Sequence, residues 1–170
     1  GGIGYLLQQK YGVDLPKKFR EKVGYTVKSV SDHQHKELTP DEVYEVFRSN
    51  FVNKETALKI TEAHYKQENG GITATVTADY KGSTAVYTGS GNGRLDAVSD
   101  AIKNGLGFSY SLVTYNEHAI EVGSKSKAAA YVEICDKNGN SFWGAGIHTD
   151  IINSSVSALV SAINNSDMVK

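Results

Sequence analysis

The sequence predicts an α+β fold in which an N-terminal helical part, residues 1–54, precedes a duplicated βββα unit with pseudo-twofold symmetry, residues 55–170. Three observations predict it. Apolar residues recur at three- and four-residue intervals through Phe51 or Val52, and at alternate positions from about residue 55. Three strand-like runs and one helix-like run then occur twice in succession, over about 55–107 and 108–166. Glycine-bearing stretches at 89–107 and 144–164 fall at matching places in the two copies, and duplicated units usually pack around a pseudo-twofold axis.

Each element has its own local reason. Ile3, Leu6 and Leu7 share a helical face, and Gly12 is placed to end that helix as a C-cap. Leu15-Pro16 opens a second helix, with Pro16 at the first position, where a missing N–H costs nothing. Phe19, Val23, Val27 and Val30 form its apolar stripe, and residues 31–38 read as a loop. Thr39-Pro40-Asp41-Glu42 is an N-cap signature with Glu42 at the capping-box position. It starts a third helix carrying Val43, Val46, Phe47 and Phe51. Three such helices are too small for a core of their own.

In the first copy, Leu58, Ile60 and residues 62–65 make one strand. Ile72, Ala74, Val76, Ala78 and Tyr80 alternate with Thr73, Thr75, Thr77 and Asp79 in a second, the pattern of a half-buried strand. Lys81-Gly82-Ser83 turns into a third strand, 84–88. Leu95, Val98, Ile102 and Leu106 then space a helix that Gly105 and Gly107 stop. In the second copy the strands are 109–121, 128–135 and 141–147, with Lys137-Asn138-Gly139-Asn140 as a turn. Its helix carries Ile151, Ile152, Val156, Leu159, Val160 and Ile163. Antiparallel strands with helices on one face make a layered structure.

Composition narrows the function. The chain has 170 residues, 39% of them hydrophobic and 22% charged, the profile of one folded domain or a domain with a helical extension. A net charge of −1 removes the electrostatic case for nucleic-acid binding. No apolar run approaches the roughly 20 residues that span a bilayer. The single Cys135 allows no internal disulfide and fits a reducing compartment. The first residues form no signal peptide, and the only Met is Met168, so the sequence is expected to be a C-terminal piece of a larger cytoplasmic protein.

No complete active site can be assembled. His33-Gln34-His35 could place two imidazoles on a metal, yet only Asp32 and Glu37 are near as further ligands, and a solvated loop is the favoured reading. Glu117-His118 has no nucleophile motif beside it, and His64 and His148 stand alone. Gly89-Ser90-Gly91-Asn92-Gly93 lacks the ending of a P-loop and the spacing of a dinucleotide fingerprint. It still feeds a helix N-terminus, whose free N–H groups favour a carboxylate or a phosphate. A tight strand-to-helix turn and nothing more is an equal alternative. Lys17, Lys18, Arg20 and Lys22 form a basic helix face, either solvated or facing an acidic ligand.

The succession of motifs resembles the C-terminal part of the alpha-isopropylmalate synthase family over essentially the whole chain. Gly1-Gly2-Ile3-Gly4-Tyr5-Leu6-Leu7 and Leu15-Pro16-Lys17-Lys18-Phe19 resemble segments of the family's first linker subdomain. Leu38-Thr39-Pro40-Asp41-Glu42-Val43-Tyr44-Glu45-Val46-Phe47 resembles a helix of the second. Gly91-Asn92-Gly93-Arg94-Leu95-Asp96-Ala97, Tyr115-Asn116-Glu117-His118-Ala119, Ala128-Ala129-Ala130-Tyr131-Val132-Glu133 and Trp143-Gly144-Ala145-Gly146-Ile147 resemble successive signatures of the regulatory domain. Each is weakly specific alone; their common order is the strong signal.

The resemblance implies a homodimeric allosteric module that binds L-leucine for feedback inhibition and is inactive alone. The family's full enzyme condenses acetyl-CoA with 2-oxoisovalerate on an N-terminal (β/α)₈ barrel, with a divalent metal held by a His-x-His pair and carboxylates. That barrel and its metal lie outside this sequence, no cofactor is expected within it, and His33-Gln34-His35 is not the metal motif. Carried over residue by residue, the leucine site would take Gly91, Asn92, Gly93, Leu95 and Asp96, with Tyr115, Ala119, Ser126 and Ala128 from the second copy. Asp96 and Ser126 stand where the family has alanine, which leaves the preferred branched-chain amino acid open. Tyr5 matches a linker tyrosine that influences inhibition and would lie near the partner subunit's catalytic centre. Two neighbouring readings remain. One is the equivalent module of citramalate synthase, which answers to isoleucine and against which the helical segment 15–52 argues. The other is a stand-alone amino-acid-binding or dimerising module.

Overall fold

The computed structural model describes residues 2–122 and 125–170; Gly1, the first residue of the glycine-rich motif, lies outside them. Three helices come first, α1 (Gly2–Tyr11), α2 (Lys17–Gln34) and α3 (Pro40–Phe51). Strands β1 (Leu58–Glu68), β2 (Gly71–Tyr80) and β3 (Ser83–Gly91) lead into α4 (Arg94–Leu106). Strands β4 (Tyr110–Val122), β5 (Lys125–Asp136) and β6 (Ser141–His148) lead into α5 (Ile151–Asn165) and a final 3-10 turn, Asp167–Val169. The α+β architecture with a repeated βββα unit is the predicted one.

Each unit is a three-stranded antiparallel sheet in sequence order, β1-β2-β3 and β4-β5-β6. The alternation of β2 buries Ala74, Val76 and Ala78, and that of β5 buries Ala130, Val132 and Ile134. Both rows join one core with Ala97, Val98, Ala101 and Ile102 of α4 and Ala158, Leu159, Ala162 and Ile163 of α5. The two helices therefore lie between the two sheets. The copies match in detail: β1 bulges between Ile60 and Glu62, and β4 between Leu112 and Thr114. Gly89 of β3 and Gly146 of β6 hold the same position against their helices. A Cβ on Gly89 would stand 2.1 Å from Ala101 N, and one on Gly146 1.9 Å from Ser154 O. Backbone-to-backbone contact at that distance admits only glycine.

The outer faces of the sheets differ, and the difference decides where the helical part sits. The second sheet shows Ala129, Tyr131, Trp143 and Ala145 outward, and α1–α3 cover them with Leu7, Phe19, Val23, Val43, Phe47 and Phe51. The first sheet shows Thr73, Thr75, Thr77 and Thr88 outward, and no helix among the described residues covers them. The capping box at Thr39 forms as predicted: Glu42 N–H donates to Thr39 Oγ1 at 3.2 Å, and Thr39 N–H to Glu42 Oε1 at 3.0 Å.

Four local readings change. Pro16 caps α2 instead of starting it, with φ −55° and ψ 150°. That helix also runs through the first half of the expected loop, to Gln34, because His35 adopts the left-handed conformation (φ 55°) and its N–H reaches Asp32 O. Gly105 lies inside α4, and Gly107 alone ends it. Finally, Gly89, Ser90 and Gly91 belong to β3, so the expected glycine turn shrinks to Asn92-Gly93.

The segment between the helical part and β1 is clamped to the second unit. Asn53 donates through Nδ2 to Ile147 O at 3.1 Å and accepts from Ile147 N–H and the Ser157 hydroxyl through Oδ1. Asn164, buried on α5, donates to Lys54 O and Leu58 O and accepts from the N–H groups of Ala57 and Leu58. A buried amide with all its hydrogen-bonding capacity used fixes this segment's path.

Candidate functional site

The site grows from a helix that begins without a side-chain cap. Gly93 is the N-cap of α4, extended at φ −136° and ψ 176°, and among the described residues no side chain caps the first amides of the helix. Their N–H groups and the helix dipole face an open cavity of about 500 Å³. Arg94, Leu95 and Asp96 form one wall, β4 from Leu112 to Tyr115 with Glu117 a second, and Ile151, Ile152 and Ser155 of α5 a third. The β4 bulge aims Val113 into this space, a usual effect of an extra residue in a strand.

Tyr115 ties the walls together. Its hydroxyl bonds the Glu117 carboxylate and the Ser155 hydroxyl, linking β4 to the N-terminal half of α5. Burial first, and then the Glu117 carboxylate beside it, push the phenol up to about 12, so it remains a neutral donor at physiological pH. The chemical inventory is backbone amides and Arg94 for an anion, Asp96 and Glu117 for a cation, and Leu95, Leu112, Val113, Ile151 and Ile152 for an apolar group. It fits a small zwitterion with an aliphatic side chain better than it fits a reaction.

Of the residues singled out in the sequence, Gly93, Leu95, Asp96 and Tyr115 line this one cavity. Gly91 and Asn92 lead into it, and Gly91 is fixed by packing, since a Cβ there would stand 2.6 Å from Asp96 Cβ. Ala119, Ser126 and Ala128 share the helix-side face of the second sheet with Tyr115 but lie farther along the strands, outside the cavity. Ala128 instead offers its carbonyl to Ser154 Oγ at 2.8 Å. Tyr5 is 68% exposed on α1. Val113, Glu117, Ile151 and Ser155 join the lining without any leucine-site signal in the sequence. The alternation of β4 could have suggested Glu117, whereas the bulge that aims Val113 leaves no mark in the sequence.

The other constellations resolve by geometry. Neighbours in a strand face opposite ways, so Glu117 enters the cavity while His118 bonds Tyr131 on the opposite face at 2.7 Å. His33 and His35 are exposed at the end of α2, and among the described residues no group of three His, Cys, Asp or Glu side chains is placed to hold a metal. Lys17, Lys18, Arg20 and Lys22 are exposed on α2. No helix of the described residues is long and apolar enough to cross a membrane.

Comparison with known proteins identifies the family of the chain. The family model described as the LeuA allosteric (dimerisation) domain matches residues 37–166, from just before α3 to the end of α5. A 2-isopropylmalate synthase of Desulfitobacterium hafniense is 50% identical over 164 residues, which cover 96% of this chain and 29% of that protein. One of Helicobacter hepaticus is 38% identical over 172 residues, and one of Thermobifida fusca 31% over 164. The chain thus spans less than a third of the length of these curated relatives.

Proposed function

The chain belongs to the LeuA allosteric (dimerisation) domain family, and from that premise we propose that it is the feedback sensor of a 2-isopropylmalate synthase, binding L-leucine in the cavity between α4, β4 and α5. The observation that carries this reading is the convergence of Gly93, Leu95, Asp96 and Tyr115 on one cavity at an uncapped helix N-terminus. Leucine's carboxylate would accept from the first amides of α4, its ammonium would meet Asp96 or Glu117, and its isobutyl group would lie on Leu95, Leu112 and Ile152. A site of this kind needs no metal of its own. The acetyl-CoA condensation and its divalent metal belong, in this reading, to a catalytic barrel in the same polypeptide.

A homodimer is part of the proposal. Val113, Tyr115 and Ile151 are 53%, 39% and 38% exposed and gather at the mouth of the cavity, an apolar patch suited to burial against a second copy. Leucine would then be held at or near the dimer interface. Its effect would pass through the second sheet, on which α1–α3 are packed, and through the Asn53 and Asn164 clamps. Control requires that leucine prefer one of two conformational states, and a coupling of roughly 1–3 kcal/mol would be ordinary. Comparing leucine inhibition of the full-length synthase with that of a form ending before residue 55 tests the proposal. Inhibition lost with the truncation is the expected result, and unchanged inhibition would sink it.

A further inference from the structure

Strand β4 serves two surfaces at once. Its residues 112–115 and Glu117 line the cavity, and Tyr115 ties that face to Ser155 of α5. Its opposite face lies under the turn between α1 and α2. Val13 and Leu15 of this turn are buried in the core that α1–α3 share with the outer face of the second sheet. Gly12, left-handed at φ 69°, passes so close to the strand that a Cβ on it would stand 3.3 Å from Ile120 Cγ2. The turn is therefore seated on the strand that walls the cavity.

His118 makes the polar part of that seat. Asp14 N–H donates to its Nε2 at 3.3 Å, and the Tyr131 hydroxyl stands 2.7 Å from the same nitrogen. Its Nδ1 lies 3.0 Å from Ala119 O, which can only accept, so Nδ1 carries the proton and Nε2 is the acceptor. Tyr131 is fully buried, and its ring meets Phe19 of α2. One imidazole thus holds the backbone of the turn and an aromatic of the helical interface. Asp14 sits between the buried Val13 and Leu15, and close-packed surroundings transmit a displacement instead of absorbing it. The Asn53 and Asn164 clamps join the end of the helical part to β6 and α5. His118 joins its beginning to β4, next in the chain to Glu117.

We infer that His118 is a positioning residue that couples the effector cavity to the helical part. An effector seated against Tyr115 and Glu117 shifts β4, and His118 passes that shift through Asp14 N–H to the turn between α1 and α2. The inference rests on the leucine reading above and adds to it the contact that carries the signal. Coupling is a free energy between two sites, so the test separates binding from its consequence.

In the full-length synthase, His118→Phe keeps a ring in the interface and removes the acceptor, whereas His118→Gln offers an amide oxygen to Asp14 N–H. His118→Phe should bind L-leucine within about threefold of wild type by calorimetric titration, with its activity in the absence of leucine intact. The ratio of its uninhibited to its leucine-saturated rate should fall about fivefold, the share of the coupling that one hydrogen bond can carry. His118→Gln should restore most of that ratio, a rescue that a merely packed ring would not give. Wild-type inhibition of His118→Phe, or equal uncoupling of the two variants, overturns the inference. Hydrogen exchange of the wild-type synthase decides the matter if the variants do not fold. Saturating leucine should change exchange in a peptide containing Asp14 about tenfold, and an unchanged rate with leucine bound would overturn the inference. A wild-type synthase that binds no leucine contradicts the proposed function itself, and this inference falls with it.

Discussion

Phe19 of α2 stacks on Trp143 of β6 with ring centroids 4.8 Å apart and planes 13° from parallel. Phe19 also meets Phe47, Phe51 and Tyr131, so one ring joins the helical part to the outer face of the second sheet. Phe19→Ala should cost about 3–5 kcal/mol of stability, the range for removing a buried aromatic ring. Urea denaturation followed by tryptophan emission reads it. A loss below about 1 kcal/mol would mean that α2 is not held through this contact.

The Asn164 side chain answers four backbone groups of the segment 54–58. Asn164→Ala leaves buried N–H and C=O groups without partners, each costing about 1–3 kcal/mol. The melting temperature should fall, and hydrogen exchange at Leu58 should quicken. If only the first changes, the amide is a packing element and not a clamp.

Tyr115 supplies a dependence on alkaline pH. Its folded-state pKa, about 12, is raised above the ordinary tyrosine value of 10.0. Its contribution is therefore complete below pH 10 and is lost as pH rises toward 12, because the unfolded chain releases the proton first. Tyr110 and Tyr131, also raised by burial, act in the same direction, so the test is a difference. Tyr115→Phe should show a shallower fall in urea midpoint than wild type between about pH 9 and 11. An unchanged slope would contradict the hydrogen-bonded, partly buried phenol.

Much of this was legible in the sequence. The change of period near residue 55, the Thr39 capping box and the glycine-bearing stretches 89–107 and 144–164 gave the element order and the duplication, whereas the structural match of Gly89 with Gly146, two residues beyond Gly144, appears only in the register. The sheet to which the helices dock is also written in the residues: the outward row of the second sheet carries Ala129, Tyr131 and Trp143, where the first has Thr73, Thr75 and Val86. That contrast appears only once the register is known. The cavity was half legible. Gly93, Leu95 and Asp96 are consecutive in one turn, but Val113 enters through a bulge and Ile151 from a helix start, and both depend on tertiary placement.

Leu95 should separate binding from folding. It is half-buried on the cavity wall, so Leu95→Ala should weaken leucine binding about tenfold while stability falls by less than about 2 kcal/mol. Titration and denaturation of the same variant measure both. A large stability loss with unchanged affinity would assign Leu95 to the core instead of the ligand.

The most direct test of the central claim is calorimetric titration of the chain with L-leucine, with L-isoleucine and L-valine as competitors. The account predicts saturable binding that prefers leucine and is abolished by Gly93→Asp. Preference for isoleucine would assign the sensor to a different branched-chain effector, and a folded dimer that binds none of the three would contradict the account.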